Sequence, residues 1–303
     1  MTWETTYHAP VLAREVLELL GNASHVLDGT LGGGGHTAAL LARGVRVTAI
    51  DRDPDAIASA TARLGAGLDC HLGNYADLDL IPALDGVTFD GILLDLGVSS
   101  HQLDDESRGF TFRRGAPLDM RMTPDADQSA ADYLNTADER MLEETLRQFA
   151  DEPRARRLAR EIVRRRESAP FQVSDDLVGA IRAVLGASAG PSDFARIFQG
   201  IRIAINHELD GLEAALPDLR DRLTPGGRLV VITYHSGEDR IVKHAFAEWS
   251  RACTCPPRHP ICTCGGVALG SLAMRKAITA SDEEVAANPR ARSARLRAWQ
   301  RAA

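Results

Sequence analysis

Three aspartates stand at the ends of apolar runs in the first hundred residues: Asp28 after His25-Val26-Leu27, Asp51 after Val45 to Ile50, and Asp95 after Phe89 to Leu94. Four consecutive glycines, Gly32 to Gly35, follow the first aspartate and lead through His36 and Thr37 into the helix-like run Ala38 to Ala42. A glycine-rich turn lets the backbone approach a ligand closely, and the helix start beyond it offers unpaired amide donors. The combination suits a nucleotide. Asp51 lies about 20 residues past the turn, where a carboxylate accepts hydrogen bonds from both ribose hydroxyls. That fits a nicotinamide dinucleotide and S-adenosylmethionine alike. Asp28, suited to facing the amino acid end of the ligand, His36 and Thr37 after the glycines, and Pro225-Gly226-Gly227 before a strong strand all lean toward the methyl donor.

The elements that must position these groups alternate. Strand-like runs at 25–27, 45–50, 68–72 and 89–94 are separated by helix-like runs, including Asp55 to Leu64. Repeated strand-helix units predict an α/β, doubly wound parallel sheet that binds ligands at the carboxyl ends of its strands. Leu96 to Ser100 forms a polar loop beyond Asp95, placed either to present an acceptor to a donor methyl or simply to cap a helix. After Ser100 the chain turns rich in charge and turn formers, then helical from Ser129 to Leu185, with linker-like composition from Gly186 to Ser192. A helix over Arg202 to Leu216, a turn at Pro225-Gly226-Gly227 and a strand over Arg228 to Tyr234 resume the alternation. The expected organisation is a sheet domain in two parts, 1–104 and 199–303, with an inserted helical domain over 105–198.

At 303 residues the chain is long enough for one large domain or for a core carrying an insertion. Its 44% hydrophobic and 25% charged residues are ordinary for a globular protein, and no apolar run has the length of a membrane span. The N-terminus shows no basic-then-apolar leader, so a cytoplasmic location without membrane contact is expected. A net charge of −7 argues against a protein that coats nucleic acid. The arginines are nevertheless unevenly spread. Arg154, Arg156, Arg157, Arg160, Arg164, Arg165 and Arg166 crowd one helical stretch, and Arg290, Arg292, Arg295, Arg297 and Arg301 crowd the C-terminus. Each group is either a solvated face or a phosphate-holding surface.

Taken together, HAPVLAREVLELL, DGTLGGGGHT, AIDRDPDAI, DGILLDLGVSSHQLD, RGFTF, PLDMRM, FQGIRIAINHEL, PGGRLVVITYHSGEDRIVKHAF and NPRARSARLR resemble, in order and over nearly the whole chain, the bacterial small-subunit (16S) ribosomal RNA cytosine-N(4) methyltransferase family, RsmH/MraW. The resemblance implies a Rossmann-like methyltransferase sheet with an inserted helical domain that helps hold RNA. It implies S-adenosylmethionine contacts at Gly34, Gly35, His36, Asp51, Tyr75, Asp95 and Gln102. The implied partner is small-subunit ribosomal RNA or the assembled subunit; a homodimer is compatible with it.

A cytosine amino group is a weak nucleophile because its lone pair is delocalised into the ring. Acceptors that hydrogen-bond its protons restore density on nitrogen, and in-line placement supplies much of the rest. Asp95 is the first candidate for that grip. His235, Ser236 and Glu238, in YHSGEDR, are further catalytic candidates for holding the base or relaying its proton, with a structural hydrogen bond as the other reading of His235. Asp119 and Arg121 are expected to order a loop covering the site, and Asp239 and Arg240 to pair with each other or cap a helix. The base must leave its stack to reach such a pocket. Two other functions fit parts of the pattern: a methyltransferase of this fold acting on DNA, and a non-catalytic RNA-binding assembly factor that retains cofactor affinity.

Some family words are altered: Gly237 stands in place of the usual leucine, Gly115-Ala116 replaces an aspartate-glycine pair, and PSDFARIFQG replaces a threonine-rich segment. Cys253, Cys255, Cys262 and Cys264, in CTCPPRHPICTC, form two close pairs. Four thiolates suit structural zinc, although one intervening residue is tighter than the common spacing; packed or surface thiols are the alternative. Cys70 sits in a strand-like run and is expected in the core.

Overall fold

The computed structural model describes residues 10–65, 67–124, 126–253, 255 and 263–303, without the side chains of Ser100 and His101. The chain begins with α1 (Ala13–Leu20), β1 (His25–Asp28), α2 (Gly35–Leu41), β2 (Arg46–Asp51), α3 (Pro54–Leu64), β3 (Asp69–Leu72) and β4 (Phe89–Asp95). Helices α4 (Ser100–Asp104), α5 (Ala130–Thr136), α6 (Glu139–Gln148), α7 (Ala155–Arg166), α8 (Ser174–Leu185) and α9 (Pro191–Ile205) follow. The last part comprises α10 (Glu208–Asp221), β5 (Leu223–Thr233), α11 (Ser236–Trp249), β6 (Gly270–Leu272), β7 (Ile278–Thr279), α12 (Asp282–Ala287) and β8 (Arg295–Arg301). Residues up to Gly97 and from Leu209 onward form one compact unit, and Val98–Glu208 forms a second.

The first unit is built on a sheet of order β3-β2-β1-β4-β5-β8-β6, with β7 also against β8. Strands β1 to β5 are parallel and β8 runs antiparallel to β5. This is the doubly wound α/β architecture expected from the alternation. The two-residue period of the strands sorts their apolar side chains onto two faces. Leu27, Ile50, Ile92, Leu94, Leu229, Val231 and Trp299 pack in one core. Their neighbours Val26, Ala49, Leu93, Val230, Ile232, Leu296 and Ala298 pack in the other.

Two details differ from what the sequence pattern predicts, one in the sheet unit and one at the end of the second unit. Pro225-Gly226-Gly227 is not a turn preceding the strand but lies within β5, which starts at Leu223. The ladder passes from Phe89↔Leu223 to Gly91↔Arg228, so the extra residues bulge out, with Gly226 at φ 79° where a side chain would be strained. The helix expected over Arg202 to Leu216 is broken at Asn206 and His207, the latter at φ 50°. Asn206 caps the end of α9 at this break: its side-chain amide donates to the carbonyls of Met120 (2.8 Å) and Arg202 (2.9 Å), and its side-chain oxygen accepts from the Met122 amide (2.9 Å).

The second unit has its own core, in which Tyr133, Leu142, Leu158, Ile162, Phe171, Ile181, Ile197 and Ile201 from α5 to α9 are buried together. The segment with linker composition is a helix-to-helix turn inside this unit. It pivots on Gly186 at φ 94°, and Asp193 caps the start of α9 through the Gly190 amide.

Candidate active site

The glycine turn joins β1 to α2, and its shape follows from a buried carboxylate. Asp28, 1% exposed, accepts from the Thr37 hydroxyl (2.6 Å) and the Thr30 amide (3.2 Å), tying the end of β1 to the first turn of α2. Burial pushes its pKa up, against the Thr37 hydrogen bond. Asp28 therefore acts inside the turn as a strut and does not face outward. Gly32 and Gly34 adopt positive φ, 49° and 70°. A Cβ at Gly34 would lie 2.9 Å from Arg63 Nη2 and 3.2 Å from Leu64 Cδ1. The same guanidinium bonds the Gly33 carbonyl, so the turn is clamped against α3.

Asp51 holds the turn from the neighbouring strand. Its Oδ2 accepts from the Gly32 amide (2.7 Å) and its Oδ1 from the Asp53 amide (2.9 Å). Burial pushes its carboxyl up to about 6 despite these two donors. Asp53 in turn caps α3 through the Asp55 amide, followed by Pro54 at the first helical position. Tyr75, half-buried in the loop beyond β3, packs on the core beside Gly29, whose Cβ position lies 3.4 Å from the Tyr75 Cβ.

Asp95 ends β4, the strand between β1 and β5, and its surroundings converge from three elements. Its amide donates to Thr30 Oγ1 (2.6 Å), its Oδ1 accepts from the Tyr234 hydroxyl (2.8 Å), and its Oδ2 stands 3.4 Å from His36 Nε2. His36 is 6% exposed, yet neither ring nitrogen makes a hydrogen bond among the described residues. A buried imidazole with two unused positions is costly unless a ligand supplies partners. Carboxylate and imidazole thus face the end of the glycine turn together.

The YHSGEDR segment is organised first as a helix start. His235 Nδ1 accepts from the amides of Gly237 (3.2 Å) and Glu238 (3.4 Å), capping α11. Accepting at Nδ1 places the neutral ring's proton on Nε2, which stands 3.1 Å from Glu238 Oε1. Glu238, 2% exposed, returns through Oε2 to the amides of Tyr234 (2.7 Å) and His235 (3.3 Å). Ser236, the first residue of α11, is exposed. The glycine at 237 has a local reason: a Cβ there would sit 3.1 Å from the His235 ring and 3.0 Å from Leu209. Of the two roles expected for Asp239, pairing with Arg240 or standing at a helix end, the first is not formed: Asp239 lies in the first turn of α11 and binds Arg297 (2.7 and 3.1 Å) and Arg295 (3.4 Å) on β8.

Within the second unit, Gln102 is buried in α4, and its Oε1 accepts from the Ser99 amide (3.0 Å) while Ser99 Oγ accepts from the Gln102 amide (3.2 Å). The PLDMRM segment is ordered by a two-pronged pair, Arg121 Nε and Nη2 to Asp119 at 2.9 Å each. Most of the clustered arginines have internal partners. Arg164 and Arg165 bind Glu161, with the Arg164 hydrogen bond foremost in pulling that carboxyl down to about 2. Arg160 binds Glu139, and Arg154 and Arg166 donate to carbonyls. Arg156 and Arg157 are exposed and have no side-chain partner among the described residues. At the C-terminus, Arg301 donates to the carbonyls of Asp221 and Leu223 and Arg297 binds Asp239, so these two are sheet contacts and not a free phosphate surface.

Three thiols gather after α11. The Sγ atoms of Cys253, Cys255 and Cys264 lie within 4.8 Å of one another, with Cys253 and Cys264 3.8 Å apart, close enough to share a metal and too far for a disulfide. Cys262 lies outside the described residues. Cys70 is half-buried beside Thr61.

Tyr234, bonded to Asp95, is a residue that sequence reasoning does not single out. The apolar pattern marks it only as the end of a strand, and the sole signal for it is its place directly before the His235 cap. Its hydroxyl meets Asp95 because β5 pairs with β4 in the register Asp95↔Ile232.

A family model described as the MraW methylase family matches residues 5–302. The ribosomal RNA small subunit methyltransferase H of Gemmatimonas aurantiaca is 62% identical over 302 residues, covering 98% of this chain and 96% of its own. Proteins of the same name from Heliobacterium modesticaldum and Myxococcus xanthus are 47% and 45% identical, covering 97% and 98% of this chain and 98% of their own lengths.

Proposed function

The chain belongs to the MraW methylase family, and from that premise we propose that it methylates the exocyclic N(4) of a cytosine in small-subunit ribosomal RNA with S-adenosylmethionine as donor. The observation that carries the reading is the convergence of Asp95, His36 and Tyr234 at the carboxyl end of β4. The cofactor fits the residues present. The unused ring nitrogens of His36, the Gly34-Gly35 turn and the Asp51 carboxylate offer polar groups for its amino acid and ribose ends, and Tyr75 flanks the adenine. Gln102 is assigned to the same cofactor from its match to the family.

When bound, S-adenosylmethionine supplies an electrophilic methyl whose bond electrons leave with sulfur as a neutral thioether. Asp95 accepts a hydrogen bond from the cytosine amino group, raising density on nitrogen and aiming it. The methylated nitrogen is then a strong acid and gives its extra proton to water, which restores a neutral N(4). His235 and Glu238 act chiefly by holding the start of α11, with Ser236 at its exposed rim as a contact for the base. The second unit, with Arg156 and Arg157 exposed, is assigned to holding RNA, free or within the assembled subunit. Among the described residues no helix is long and apolar enough to cross a membrane, and the cytoplasm is where this substrate would be met. A structural zinc ion at Cys253, Cys255 and Cys264 completes the proposed set of bound groups.

The test is to incubate the purified chain with small-subunit RNA, or with small subunits, from cells lacking this activity, and to map the product by mass spectrometry. One new N(4)-methylcytosine is expected. Methylation elsewhere, or none on either substrate, overturns the reading. Asp95→Ala should slow transfer by about a hundredfold or more.

A further inference from the structure

Tyr234 follows the last residue of β5 and precedes the residue that caps α11, so its backbone belongs to two rigid elements at once. Its amide donates to Glu238 Oε2 at 2.7 Å, and Glu238 is itself buried at 2% exposure. The ring packs with the core on one face of the sheet, and its Cδ2 lies 3.7 Å from where a Cβ would stand at Gly97, just past β4. Gly97 itself stands at a φ of 88°, a left-handed conformation that favours glycine. The Tyr234 hydroxyl donates to Asp95 Oδ1 at 2.8 Å.

A carboxylate held only by its own side-chain torsions rotates broadly about Cβ–Cγ. Asp95 has its backbone amide bound to Thr30 and its Oδ1 bound to Tyr234, which leaves Oδ2 and its remaining lone pairs facing His36 and the glycine turn. We propose that Tyr234 is a positioning residue for methyl transfer: its hydroxyl locks the plane of the Asp95 carboxylate so that the free oxygen meets the cytosine amino group in line with the donor methyl. This rests on the reading of Asp95 as the grip on that amino group. Burial, followed by the adjacent Asp95 carboxylate, raises the Tyr234 hydroxyl well above its ordinary pKa, so it keeps its proton and remains a donor throughout. No proton passes through it. A hydrogen bond to a charged group that fixes orientation affects the chemical step more than ground-state binding of either substrate.

Tyr234→Phe keeps the ring and removes the hydroxyl. The expected result is a fall in kcat of about ten- to a hundredfold with KM for S-adenosylmethionine and for RNA within about threefold of the parent. In an Asp95→Asn background, whose residual turnover is first established with labelled donor, the same change should cost less than about threefold, because the partner it orients is gone. Parent-like kcat in Tyr234→Phe, or an equal loss with and without the Asp95 carboxylate, overturns the proposal. A folding defect is separated by melting temperature and by a second variant, Tyr234→Leu, which removes ring and hydroxyl together. If Tyr234→Leu and Tyr234→Phe lose kcat only in proportion to the folded protein they lose, the role is structural and the proposal fails. The parent protein is assayed alongside: absence of cytosine methylation there defeats the functional reading itself, and this proposal with it.

Discussion

The Gly32 amide donates to Asp51 Oδ2 at 2.7 Å, so the residue expected to take the ribose also holds the glycine turn in place. This double use has a pH consequence. Burial raises the Asp51 carboxyl to about 6 from an ordinary 3.8. The folded chain therefore binds this proton more tightly than the unfolded chain, and the group's contribution to stability falls as pH rises from about 4 to about 6. Ligand binding runs the opposite way, because the anion is the better acceptor for ribose hydroxyls. Affinity for S-adenosylmethionine, measured by calorimetry, should weaken about tenfold from pH 7 to pH 5. Asp51→Asn should bind more weakly and without that dependence; a parent affinity that is flat over this range would remove Asp51 from the cofactor site.

Gly34 stands at φ 70° as the cap of α2, with Arg63 Nη2 2.9 Å from any added Cβ. Gly34→Ala should cost about 1–2 kcal/mol of stability, from the left-handed backbone and the displaced guanidinium. It should also weaken cofactor binding, since Arg63 bonds the Gly33 carbonyl. Thermal melting and calorimetry read the two effects. Gly44, at φ 83° with open space around it, serves as the control: Gly44→Ala should lower the melting temperature without touching affinity.

The Sγ atoms of Cys253, Cys255 and Cys264 lie within 4.8 Å of one another, and the Cys253–Cys264 separation of 3.8 Å suits two thiolates on one tetrahedral metal. Elemental analysis of the purified chain should find about one zinc ion per molecule. Cys253→Ser and Cys264→Ser should each abolish it, and cobalt substitution should give thiolate-to-metal absorption. Metal-free protein whose melting temperature is unchanged by added zinc would discard the site.

Arg156 and Arg157 are exposed on α7 while Arg164 and Arg165 are engaged with Glu161. Arg156→Glu with Arg157→Glu should weaken RNA binding. The slope of log affinity against log salt should fall by about 0.7 to 0.9 for each RNA phosphate that is no longer neutralised. Arg164→Ala should leave that slope unchanged. Equal effects from both changes would show that α7 meets RNA only through its general charge.

How much is legible in the chain depends on how local each feature is. Strand-helix alternation, the glycine turn and the carboxylates at strand ends are written in short stretches, because period-two apolar runs and left-handed glycines are set by neighbouring residues. From these the parallel, doubly wound sheet, the aspartates at the ends of β1, β2 and β4 and the methyltransferase family are readable. What sequence alone does not contain is the direction in which side chains find partners. Asn206, where an apparently continuous helix breaks, is bonded to Met120 and Met122, more than eighty residues earlier. Asp239 turns away from its neighbour Arg240 toward Arg297 because β8 enters the sheet antiparallel beside β5. Tyr234 reaches Asp95 only because the β4–β5 register sets their strands side by side. Chemistry-bearing residue types and the elements that carry them are local properties; the pairing of those residues is fixed by strand order and register, and these are decided only when the whole sheet closes.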